Sequence, residues 1–159
     1  MSKFNRSLTK EEIVKIGKEA VGKTFGELGD FKYDITELNS KGLLGLLIEE
    51  NVFQYEANND SNPDFYNAGI ELKVAAIKKN KNGTYSAKER LVLNIINYME
   101  EYKKSFENSS FWKKNKTLYL MFYLWEDGVS RCDYKIIKEV LYSFSENDLV
   151  IIKNDWEYI

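Results

Sequence analysis

Nine consecutive residues, Thr117-Leu-Tyr-Leu-Met-Phe-Tyr-Leu-Trp125, carry no charge. A run of that composition has no face to offer to water, so it reads as a strand buried on both sides of a sheet. A second strand is written at residues 70–77, Ile-Glu-Leu-Lys-Val-Ala-Ala-Ile, which open in alternation. Ile70, Leu72 and Val74 then point one way, and Glu71 and Lys73 the other. Pro63 is the single proline of the chain, and Asp64 follows it directly. Asp64 stands seven residues before Glu71, far enough for a turn at Ala68-Gly69 to fold it back beside that face. Two carboxylates and one ammonium would then converge at a strand edge. Such a group suits a divalent metal and a water held against a phosphodiester.

The spacing P-D-x6-E-x-K has the form of the PD-(D/E)xK nuclease signature, although the same letters also describe a charged, solvated strand face. Composition narrows the choice. The chain has no histidine, which removes Ser-His-Asp and Cys-His schemes, histidine metal sites and a histidine base. Its one cysteine, Cys132, excludes an internal disulfide and a cysteine zinc cluster. Catalysis would have to run on carboxylates, lysines, hydroxyls and a hard metal such as magnesium. At 159 residues, 43% hydrophobic and 14% aromatic, the chain is read as one packed domain. No apolar run approaches a membrane span and no signal peptide is evident, so a cytoplasmic protein without membrane contact is expected. The net charge of −2 does not suggest a nucleic-acid binder. Residues 71–116, however, hold eleven Lys/Arg against five Glu, a local +6. A basic segment around the candidate site is compatible with a polyanionic substrate, and equally with a solvated surface.

Along the chain, Thr9-Lys-Glu-Glu12 forms a capping box, and the spacing after it predicts a helix over about residues 10–21. Within it, Gly17-Lys-Glu-Ala-Val-Gly22-Lys23-Thr24 matches the phosphate-loop pattern letter for letter. That loop must follow a buried strand and open a helix. Here the match sits at the end of one, with Gly22 as its stop, so no nucleotide cofactor is expected. A second helix is predicted from Ser40 through Glu50, with Glu49 ending its apolar run. Residues 55–62 read as a polar loop. Lys78–Gly83 reads as a turn with Asn82-Gly83 as its hairpin signal. Ser86–Glu89 offers another capping box, but the β-rich run Leu91–Tyr98 favours a central strand. Residues 99–110 read as helix and then loop. Lys114 precedes the apolar strand and reads first as a solvated lysine. Tyr134–Phe144 reads as a further strand beside it, and Asp148–Ile159 as a helix.

Several stretches together resemble the MutH-like endonucleases, which comprise the mismatch-repair nicking enzyme and the Sau-type restriction endonucleases. They are Thr24–Leu28, Lys41–Glu49, Pro63–Phe65, Gly69–Lys73, Ser86–Tyr98, Lys114–Thr117 and Ile151–Trp156. Several sit closer to the restriction enzymes. The resemblance implies an α/β (α+β), PD-(D/E)xK restriction-endonuclease-like fold with a central mixed sheet flanked by helices. It implies Mg2+-dependent cleavage of double-stranded DNA containing GATC, with dimerisation on DNA left open. It also promotes Glu49 and Lys114 to site residues beside Asp64, Glu71 and Lys73, with Asp64, Glu71 and the Leu72 carbonyl as metal ligands. Such relatives continue past the Asp-Trp helix into a lobe that grips DNA, so residues 1–159 are expected to be one catalytic domain, truncated at its C-terminal end. The alternatives are a non-catalytic DNA-binding or assembly module of the same fold, and a phosphate-loop nucleotide-binding protein.

Overall fold

The computed structural model describes residues 7–29, 42–54 and 62–158. Among these residues four strands form one mixed sheet in the order β2-β1-β3-β4: β1 (Ile70–Lys79), β2 (Tyr85–Ala87), β3 (Thr117–Leu124) and β4 (Ile136–Ser143). The strands anticipated at residues 70–77 and 117–125, β1 and β3, are the parallel central pair, with Glu71 opposite Leu118 and Lys73 opposite Leu120, and the strand anticipated at Tyr134–Phe144 is β4. β2 returns antiparallel to β1 through the Asn82-Gly83 turn, where Gly83 takes φ +82°. β4 runs antiparallel to β3. Residues 55–61 and the predicted start of the second helix at Ser40 lie outside the described residues.

One face of the sheet carries Ile70, Leu72, Tyr119 and Met121 into the main core, where they meet helices α1 (Lys10–Ala20) and α2 (Leu43–Leu47). The predicted cap is present at α1: the Thr9 hydroxyl accepts the Glu12 N–H at 3.2 Å and donates to the Glu12 carboxylate at 3.0 Å. Gly17 lies in the middle of that helix, against the Tyr119 ring. Gly22 stops it at φ +92°, its N–H donating to Ile136 O at 2.7 Å. The residues of the phosphate-loop pattern are therefore spent on a helix and its anchorage to β4, and they do not form a strand-to-helix phosphate cradle. Phe53, buried with Phe65 and Tyr119 edge-on at 5.0 and 6.2 Å, closes the core beneath the candidate site.

The opposite face is covered by α4 (Ser110–Asn115), capped by the Ser109 hydroxyl, which accepts the Trp112 N–H at 3.1 Å. Phe106, Phe111, Trp112 and Trp156 pack together there, the last from α5 (Glu146–Glu157). The helix predicted at the end of the chain is thus present, beginning two residues earlier, with Ser145 as its cap.

The run Leu91–Tyr98 is a correction. Residues 91–97 form neither strand nor helix, and only α3 (Tyr98–Glu101) follows. Its partner edge is already occupied. β2 pairs with β1 only at residues 77–79, and the last ladder bond runs from Lys88 N to Ala76 O at 3.0 Å. Farther along that edge, Ile70 exchanges backbone hydrogen bonds with Phe65, and Leu72 N donates to Asp64. A strand continuing from β2 would need those same groups.

Candidate active site

The site is built on β1 and on the turn before it. Phe65 and Ile70 pair across residues 66–69, with Gly69 at φ +68°, and this tight return places Asp64 alongside Leu72. Two reciprocal hydrogen bonds then lace the acidic pair. Leu72 N donates to Asp64 Oδ2 at 2.9 Å, and Asp64 N donates to Glu71 Oε2 at 3.0 Å. Each carboxylate is fixed by the backbone of the other's segment. The groups of one residue in a strand point to one edge, and Ile70, Leu72 and Ala76 all direct theirs away from β3. The Leu72 carbonyl therefore faces the edge on which Asp64 sits.

Glu71 turns its other oxygen to two ammonium groups. Lys114 Nζ lies 3.7 Å and Lys73 Nζ 4.0 Å from Oε1. Lys114 gets there from the last turn of α4, which lies across the Glu71 face of β1. Lys73 also donates to the Leu93 carbonyl at 3.2 Å, a contact to which no sequence signal pointed. Glu71 is 4% exposed. Burial, and then the negative charge of Asp64, push its carboxyl up to about 8, while Lys114 and Lys73 pull it down. Desolvation wins because the charged form loses water on nearly every side.

The structure thus brings together Asp64, Glu71, Leu72, Lys73 and Lys114. Glu49 is half-buried on the π-helical turn Ile48–Val52 that extends α2. Among the described residues, no group of three or more His, Cys, Asp or Glu side chains is gathered as a metal cluster. The donors present are oxygens of the kind magnesium prefers. Burial and the Asp64 charge raise the Glu71 carboxyl against the pull of two lysines, so a cation beside the pair would favour its ionised form. The residues fit a hard divalent cation.

A mixed sheet flanked by helices, carrying a laced carboxylate pair whose buried member Glu71 faces two lysines, is the class that fold and site define. A family model described as DNA mismatch repair enzyme MutH matches residues 53–155. That is more than half of the chain, and the chain belongs to the MutH family. It is 45% identical over 154 residues to the type II restriction enzyme Sau3AI of Staphylococcus aureus, a match covering 96% of this chain and 31% of that enzyme. It is 27% identical over 154 residues to the DNA mismatch repair protein MutH of Shewanella woodyi, covering 95% of this chain and 64% of that protein. The chain accordingly spans about a third of the length of the first relative and just under two thirds of the second.

Proposed function

We propose that the chain carries the catalytic site of a magnesium-dependent endonuclease with the PD-(D/E)xK fold. It hydrolyses phosphodiester bonds of double-stranded DNA at GATC, as part of a cytoplasmic type II restriction system. The observation that carries the reading is the laced pair Asp64–Glu71 facing Lys73 and Lys114. Membership of the MutH family and the likeness to a restriction enzyme support it. The GATC sequence rests on the resemblance alone. The reading treats residues 1–159 as a single catalytic domain.

In this mechanism Asp64, Glu71 and the Leu72 carbonyl would hold the cation, and Glu49 would support its surroundings. The bound ion supplies Lewis acidity and positive charge next to the scissile phosphate. Glu71 would bind a cation as its carboxylate, and because burial raises its carboxyl to about 8, that binding would release a proton to solvent at neutral pH. Lys73 orients the attacking water or contacts the phosphate, and Lys114 contacts the phosphate or helps activate the nucleophile. Both ammonium groups stand against charge that builds on phosphate oxygens during displacement, where fixed cations act most strongly.

The test is cleavage of unmethylated supercoiled plasmid with magnesium or with EDTA, run beside Asp64→Asn. Asparagine keeps an acceptor for the Leu72 N–H while losing the anionic ligand, so the fold should survive. Magnesium-dependent fragments with GATC ends, absent for the variant, are expected. Equal cleavage by the variant would sink the site assignment. DNA binding without any turnover would favour a non-catalytic module.

A further inference from the structure

Lys73 and Lys114 reach the same oxygen of Glu71 from different elements, and residues 93 and 94 tie those elements together. Leu93 O accepts from Lys73 Nζ at 3.2 Å. The next residue, Asn94, donates from Nδ2 to Ser110 Oγ at 3.3 Å. Ser110 opens α4, and Lys114 lies on the last turn of that helix. The contacts close a ring that runs from Glu71 through Lys73, Leu93, Asn94, Ser110 and Lys114 back to Glu71. The helix end is pinned a second time. Ser110 N donates to Glu101 Oε2 at 3.1 Å, and Glu101 is itself buried.

Val92 and Ile95 are 70% and 87% exposed, whereas Leu93, Asn94 and Ile96 are half-buried. Apolar residues thus lie on both sides of the segment, and apolar burial alone does not fix how it is turned. The Asn94 amide adds a directional contact to Ser110.

We propose that Asn94 is a positioning residue. Through Ser110 it fixes the Leu93 carbonyl against α4, and so holds both ammonium groups on one carboxylate oxygen. The proposal rests on the endonuclease reading for its catalytic consequence, but its geometry can be tested without cleavage.

Steady-state cleavage of a GATC duplex by Asn94→Ala, Ser110→Ala and the double variant forms a mutant cycle. Each single change should lower kcat about fivefold, the loss expected for one hydrogen bond, with KM unchanged. The double variant should be no worse than either single one. In parallel, acetylation of Lys73 and Lys114 in metal-free, DNA-free protein is followed by mass spectrometry. Both lysines should react several-fold faster in Asn94→Ala, with the thermal midpoint retained. Additive losses in kcat, or losses confined to KM, would overturn the proposal. If the parent protein does not cleave at all, the endonuclease reading fails, and acetylation alone decides the positioning role. Unchanged lysine reactivity then refutes it.

Discussion

Replacing Glu71 by glutamine isolates the cost of keeping that carboxyl away from water. In the folded protein the group holds its proton up to about pH 8, against an ordinary value of 4.5. The folded chain therefore binds this proton more tightly than the unfolded chain does. The group's contribution to stability is complete below pH 4.5, declines between the two values, and is lost once the pH passes about 8. Each pH unit inside the window costs about 1.36 kcal/mol. The accumulated cost is roughly 3 kcal/mol near pH 7 and under roughly 1 kcal/mol near pH 5. Glutamine has no proton to lose, and its amide oxygen can still accept the Asp64 N–H that Glu71 accepts at 3.0 Å. Glu71→Gln should therefore be more stable than the parent in EDTA, with an advantage about 2.5 kcal/mol larger near pH 7 than near pH 5. In a chain of this size that widens the gap in Tm by roughly 5–10 °C. Thermal unfolding of both proteins across this pH range reads it directly. Two curves that stay parallel would refute the burial argument.

Two further outcomes follow from the fold. Gly17→Ala should lose about 1–3 kcal/mol in urea unfolding, because its methyl group would overlap the Tyr119 ring that hydrogen-bonds Glu139 at 2.6 Å. An unchanged midpoint would show that α1 does not seat there. Ile95→Lys should change stability by less than about 0.5 kcal/mol, since the side chain is 87% exposed. A loss of several kcal/mol would restore the buried strand that the composition of residues 91–98 suggests.

What was legible in the chain was local. The uncharged run of β3, the alternation at Ile70–Val74 and the Thr9 cap each specify their element within a few residues, and each is found where it was read. The approach of Asp64 to Glu71 was legible for the same reason, since a single short turn separates them. The segment 91–97 was misread because its composition suits a strand, while the edge it would join is held by Phe65 and Asp64 from a stretch near residue 64. Occupancy of an edge is a property of the assembled sheet. Lys114 needed α4 to lie across β1 before it could reach Glu71, and nothing in Phe111–Lys116 fixes where that helix settles. The family resemblance singled it out where spacing could not.

The bond from Leu72 N to Asp64 has a second consequence, which concerns solubility. An exposed strand edge offers donors and acceptors to any other chain, and native proteins block such edges. Along β1 the outer edge is blocked in relay, by Phe65 at Ile70, by the Asp64 carboxylate at Leu72 and by the β2 hairpin from Ala76 onward. One link in that relay is the side chain assigned to hold the metal. A replacement at position 64 that cannot accept a hydrogen bond would uncover the Leu72 N–H as well as remove a ligand. An inactive preparation of such a variant could then be self-associated rather than correctly folded and silent.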